Sequence, residues 1–131
     1  MTTAIPASHH DLFGAPVATL ATIGPDGRPQ LSAVWFVADE NRIRISLNTT
    51  RQKVRNLRRN HAATVFILDP ANPFRYLEVR GNAVLSPDPD YAFAAEVGEK
   101  YETDVREFDQ PGDQRLVVTI EPQTVHAVAI G

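Results

Sequence analysis

Apolar and polar residues alternate with period two along much of this chain. The run Arg42-Ile43-Arg44-Ile45-Ser46-Leu47 alternates strictly, which puts its apolar side chains on one face of a strand. Val17–Thr22 and Gln30–Val37 are β-rich as well. Pro25-Asp26-Gly27 separates those two runs; proline presets φ and glycine accepts a positive φ, so a turn is expected. The weaker signal ADENR divides the second run from the third. Together they predict an antiparallel meander. Farther on, AATVFIL (62–68) predicts a buried strand. RYLEVRGNAVLS (75–86) alternates again, with Gly81 a candidate bulge or bend. RLVVTIEPQTVHAVAI (115–130) predicts a last strand, interrupted at Pro122.

Two stretches break this period. TTRQKVRNLRRN (49–60) predicts a helix, with Thr49 and Gln52 spaced as a capping box. DPDYAFAAEVGEKYETDV (88–105) predicts a second, capped by Asp88 or Asp90. Ser8–Phe13 predicts a short helical turn, and DPANPF (69–74) and EFDQPGDQ (107–114) predict loops. Six antiparallel strands and two short helices fit one mainly β domain over residues 1–131. A closed or nearly closed barrel is expected, because closure removes exposed strand edges. A parallel sheet would need a helix after nearly every strand.

Composition narrows the chemistry. Hydrophobic content of 43% and charged content of 22% are those of a soluble globular protein. The absence of cysteine removes disulfides, thiolate catalysis and cysteine zinc sites. No apolar run reaches spanning length, and MTTAIPASHHDLFG lacks the features of a secretory signal. No membrane association and a cytoplasmic location are therefore expected. His9 and His10 are adjacent, share no strand or helix face, and lack carboxylates at ligand spacing. They are expected to be solvent-exposed, and no metal site is expected. His61 is expected to serve the C-terminal dipole of the first helix, and His126 a core or cleft position. Ser32 and Ser46 have no adjacent histidine and no glycine elbow, so no catalytic side chain is assigned.

The net charge is -3, yet NTTRQKVRNLRR (48–59) holds five cations and no acid. On a helical wheel Val54 and Leu57 form a narrow apolar stripe, Arg51, Arg55, Arg58 and Arg59 lie on one flank, and Lys53 lies on the other. Arg58 and Arg59 suit the C-terminal end of a helix. Arg51 and Lys53 stand at the wrong end for helix stability. Free amides and cations together are what a phosphate requires. Ser46, Thr49 and Thr50 add hydroxyl donors within reach. The bland alternative is a solvated basic face. Nucleic acid is not expected as partner, because no aromatics interleave with the cations and no helix-turn-helix or zinc pattern is present.

The segments ATLATIGPDGRPQLSAVWFV, RQKVRNLRRNHAATVFI and YLEVRGNAVL, in this order, resemble the split β-barrel flavin-binding superfamily of pyridoxamine 5'-phosphate oxidase. Within it they look like the actinobacterial branch that uses the deazaflavin coenzyme F420. The likeness runs from about Pro16 to Val128. It implies a homodimer with two cofactor sites at the subunit interface. It implies that Arg51 and Lys53 bind the cofactor phosphate, with Ser46, Thr50 and Asn56 nearby. Ala33, Trp35 and Phe36 would approach the cofactor tail or ring, and Phe74 and Tyr76, from the partner or a facing strand, would wall the ring. The implied activity is hydride transfer from reduced F420 to a small, flat, conjugated, apolar acceptor. An FMN-binding oxidoreductase and a non-catalytic F420 or flavin carrier stay open beside it. Both cofactors carry a phosphate, but only F420 continues into a glutamate tail, whose carboxylates suit Arg55 and Arg59. The oxidases proper carry a C-terminal arginine-rich substrate segment. The last residues here are TVHAVAIG, so an activity other than pyridoxamine phosphate oxidation is expected.

Overall fold

The meander forms, but in more pieces than the alternation suggests. The computed structural model describes residues 2–130. In it β1 spans Ala18–Ile23, β2 Pro29–Val34, β3 Val37–Asp39 and β4 Arg42–Asn48. Helix α1 (Gln52–Arg59) follows, then β5 (Ala62–Asp69), β6 (Asn72–Pro87), α2 (Ala92–Tyr101), β7 (Arg115–Ile120) and β8 (Thr124–Ala129). Short 3-10 helices occupy Ala7–Gly14 and Val105–Phe108. The strands run in the order β2-β1-β5-β6-β7-β4-β3, with β8 also on β6, and every pairing is antiparallel. This is the mainly β antiparallel architecture expected. Eight strands replace the predicted six because two runs each divide. Gln30–Val37 breaks at Trp35 and Phe36, and the last run breaks at Pro122, which has no N–H to give a ladder.

Alternation placed the core correctly. Ile43, Ile45 and Leu47 are buried from β4, against Leu20, Val65, Ile67, Leu77, Val79, Val118 and Ile120. Val54 and Leu57 bury the apolar stripe of α1 in the same cluster. The sixteen-residue β6 serves both halves: Arg75–Arg80 pair with β8, and Ala83–Pro87 pair with β7. The partner changes around Gly81. A β-carbon there would collide with the Glu121 carbonyl oxygen, just where the chain leaves β7. Backbone on both sides leaves no room to yield. Gly81→Ala is therefore expected to destabilise the protein by about 1–3 kcal/mol, as overpacking does, read by urea denaturation. An unchanged midpoint would show that the corner relaxes freely.

Local details correct several expectations. The capping box does not form. Helix α1 starts at Gln52, Arg51 is its N-cap residue, and no side chain caps it. Asn48 takes the turn-forming role instead: its Oδ1 accepts from the Thr50 N–H at 2.9 Å and from the Thr50 hydroxyl at 2.8 Å. Helix α2 is shorter than predicted. Asp88 still serves its first turn, accepting from the Phe93 and Ala94 amides. His9 and His10 are not solvent-exposed. The N-terminal 3-10 helix packs on β6, and His9 is only 4% exposed, with its Nε2 3.0 Å from the Val128 carbonyl oxygen. His10 Nε2 lies 2.7 Å from the Ile5 carbonyl oxygen. His61 bonds across to the Ala83 carbonyl on β6, not to the end of α1, and His126 is exposed.

Candidate functional site

A cleft of about 520 Å³ lies between the ends of β2 and β4, the start of α1, and the α2 region. Its lining is of two kinds: Arg51, Lys53, Ser46 and Asn48 are polar or cationic, and Val17, Ala33, Val34, Trp35, Val97, Val105 and Phe108 are apolar or aromatic. Among the described residues neither Arg51 nor Lys53 has a carboxylate within salt-bridge distance. Burial, and then the neighbouring Arg51 charge, hold the Lys53 ammonium below its ordinary pKa. Two uncompensated cations beside an uncapped helix start make a place where a dianion lowers the energy. A second cleft, about 470 Å³ between α2 and the Val105–Phe108 turn, contains Asp90, Glu99 and Asp104 against the single cation Arg106. That balance disfavours an anion.

Arg115, the remaining cation of the first cleft, is already neutralised. It is 9% exposed and forks onto Asp109 at 2.8 and 2.9 Å. Its Nη1 donates to the Ser46 hydroxyl at 3.2 Å. Asp109 also accepts from the Tyr91 hydroxyl at 2.7 Å and from Asn48 Nδ2 at 2.9 Å. Burial alone would raise the Asp109 pKa; these donors and the Arg115 charge outweigh it and hold the carboxyl at about 2. The network ties the 109–113 loop to the end of β4, where Ser46 and Asn48 line the cleft.

Part of the apolar lining is braced from α2. The Trp35 indole stacks on the Tyr101 ring with centroids 4.3 Å apart and planes 6° apart, and Phe108 meets it edge-on. Lys100 Nζ donates to the carbonyls of Phe13 at 2.9 Å and Phe36 at 2.7 Å, and sits 3.7 Å above the Phe36 ring. No carboxylate pairs with it among the described residues, and burial lowers its pKa to about 8. The unfolded chain, at 10.5, binds this proton more tightly than the folded one, so Lys100 makes stability rise with pH between about 8 and 10.5. Lys100→Met is expected to flatten that rise in thermal denaturation. An unchanged slope would show the ammonium to be well solvated.

The residues implied by resemblance fall into two groups. Ala33, Trp35, Ser46, Arg51 and Lys53 line the cleft together. Thr50 does not line it, and its hydroxyl is spent on Asn48. Asn56 is wholly buried, donating to the Thr22 hydroxyl at 3.0 Å and Gln30 Oε1 at 2.8 Å, so it locks α1 to the barrel. The Phe36 side chain is fully buried in the core. Phe74 and Tyr76 belong to β6 and do not line this chain's cleft. Phe74 is 63% exposed, and Tyr76 packs on Phe66 on the outer sheet face. Arg55 turns back on Gln52 and the Thr50 carbonyl, and Arg59 on the Ile23 carbonyl. Val17, Val97, Val105, Phe108 and Arg115 were not anticipated, and only Asn48, an Asx-turn residue just before a helix, carried a readable signal.

Among the described residues no group of three or more side chains is placed to hold a metal ion, and no helix is long and apolar enough to cross a membrane. Residues 6–129 match the family described as pyridoxamine 5'-phosphate oxidase. The chain belongs to that family. It is similar to a solved F420 reductase at 36% identity, with a TM-score of 0.81 over 93% of this chain and 98% of that one. It is similar to a conserved hypothetical protein from Mycobacterium tuberculosis at 27% identity, with a TM-score of 0.76 over 97% of this chain and 86% of that one. A heme storage protein from Vibrio cholerae shares the fold at 18% identity, with a TM-score of 0.74 over 98% of both chains. The fold is shared by proteins whose described roles differ, so the site must carry the functional argument.

Proposed function

We propose that this chain is an F420-dependent reductase acting on a small, flat, conjugated, apolar acceptor. The observation that carries the reading is the mixed lining of one cleft: Arg51 and Lys53 at the start of α1, with no carboxylate in salt-bridge reach among the described residues, together with aromatic and aliphatic side chains. The 36% identity to an F420 reductase supports the choice of cofactor. Arg51 and Lys53 would hold the phosphate, and Ser46 would donate to it. Trp35, Val97, Val105 and Phe108 would exclude water from the reacting end. Reduced F420, when bound, supplies a hydride to the acceptor, and the balancing proton comes from solvent. The protein's share is orientation.

One observation favours FMN as a second reading. Arg55 and Arg59, the cations suited to a glutamate tail, already bond within the chain and lie outside the cleft. Side-by-side titration with FMN and with F420 of defined tail lengths decides between them. Tighter F420 binding that improves with tail length and weakens with salt is expected. Tighter FMN binding would reverse the assignment. Tight F420 binding without turnover over a broad acceptor panel would make the protein a carrier.

The proposal includes a homodimer. Leu31, Ala21 and Thr64 form one cross-strand row on the outer face of the sheet, and Leu68, Tyr76 and Val128 form another. Leu31 and Leu68 are exposed, and Ala33 on the same strand as Leu31 reaches the cleft. An apolar face of this kind is covered by a second copy more cheaply than by water. Light scattering at micromolar concentration is expected to show a dimer, and Leu31→Glu with Leu68→Glu to dissociate it. A monomeric parent protein would remove the shared site.

A further inference from the structure

We propose that Tyr101, aided by Lys100, is a positioning residue that presets the Trp35 indole as a wall of the cleft. The inference rests on the reading of this cleft as a cofactor site. It starts from the break in the second predicted strand. Trp35 and Phe36 belong to neither β2 nor β3, so the Phe36 peptide lacks the ladder partners that a continuous strand would give it. Side chains from the last turn of α2 replace them. The Phe36 N–H donates to the Tyr101 oxygen at 3.1 Å, and the Tyr101 hydroxyl faces the Phe36 carbonyl at 3.4 Å. Lys100 donates to that same carbonyl at 2.7 Å.

The backbone is thereby pinned on one side of Trp35, and the ring is pinned as well. Its near-parallel stack on Tyr101 fixes the indole plane, while Phe108 bears on it at 75°. Trp35 lines the cleft, whereas neither Tyr101 nor Lys100 does. Their effect on a ligand therefore passes through the indole. Holding a wall in place before a planar ring arrives reduces the ordering cost of binding. A stack of this kind changes binding by about two- to tenfold.

Trp35 is the only tryptophan in the chain, so its fluorescence reports on this wall directly. The test compares Tyr101→Leu, which removes the stack, with Tyr101→Phe, which keeps it and loses the hydroxyl. Acrylamide quenching of the protein without cofactor is measured first, then affinity for F420 and for FMN. Tyr101→Leu is expected to make Trp35 more quenchable and to weaken binding of the cofactor about two- to tenfold. Tyr101→Phe should keep most of both. Lys53→Ala should weaken binding and leave the quenching unchanged. Unchanged quenching in Tyr101→Leu would overturn the proposal, and so would altered quenching with unchanged affinity. If Tyr101→Leu does not fold, Tyr101→Met, which also removes the ring, takes its place, and unchanged quenching or unchanged affinity in that variant would overturn the proposal. Failure of the parent protein to bind either cofactor would refute the cofactor reading, and with it the link to affinity, while the quenching comparison still tells whether Tyr101 holds Trp35.

Discussion

Asp109→Asn is expected to cost about 3–5 kcal/mol of folding stability, the usual result of removing one partner from a buried ion pair. The substitution keeps the shape of the side chain but strands the Arg115 guanidinium, which is 9% exposed and has its fork on that carboxylate. It also weakens the acceptor for the Tyr91 hydroxyl and Asn48 Nδ2. Arg115→Met in the same background should recover much of the loss, because the stranded charge is then gone. The pH dependence has a definite sign. Asp109 titrates at about 2 in the folded protein against an ordinary 3.8, so its contribution is complete above pH 3.8 and is lost as pH falls toward 2. The parent protein should therefore lose more stability across that window than Asp109→Asn does. Urea denaturation of both single variants and the double variant measures all three quantities. A loss under about 1 kcal/mol, with no recovery in the double variant, would place the pair among screened surface bridges.

Strands whose side chains have only an inside and an outside were legible in the sequence. The alternation of β4 assigned Ile43, Ile45 and Leu47 to the core, and burial agrees. Proline at 122 and glycine at 81 marked a break and a corner because their backbone constraints are local. The break at Trp35–Phe36 had no such marker. There the Phe36 peptide is bonded by Tyr101 and Lys100, which stand about 65 residues away, and no pattern within the strand announces them. The site divides along the same line. Arg51 and Lys53 were visible because five cations in one short stretch stand out in an acidic chain. Phe108, Val97 and Arg115 reach the cleft only through tertiary packing. Asn56, placed near the phosphate only by the resemblance, has its amide consumed by Thr22 and Gln30 in the interior, and no local pattern in the sequence marks it as a buried tie.

Arg51 and Lys53 set the largest expected effect on binding. A charge-assisted contact to phosphate is worth about 1.5–3 kcal/mol, so Lys53→Ala should weaken cofactor binding by roughly one to two decades. Arg58→Ala removes the same charge from the last turn of α1, beside a separate depression lined by Thr49, Ser86 and Gln114, and should change affinity little. The effects of Arg51→Ala and Lys53→Ala should not simply add. Arg51 helps to lower the Lys53 pKa, so removing it relieves the repulsion that a bound dianion would otherwise relieve. Affinity should fall at alkaline pH as Lys53 loses its proton, and Arg51→Ala should move that fall to higher pH. Fluorescence titration of the three single variants and the Arg51→Ala, Lys53→Ala double variant, across pH and salt, tests each point. Equal losses for Lys53→Ala and Arg58→Ala would mean that the helix acts only as a diffuse positive field. An alkaline fall that survives in Lys53→Ala would place the titrating group elsewhere. A loss confined to Lys53→Ala and Arg51→Ala, with a pH dependence that requires Lys53, is the result expected of a phosphate held between these two side chains.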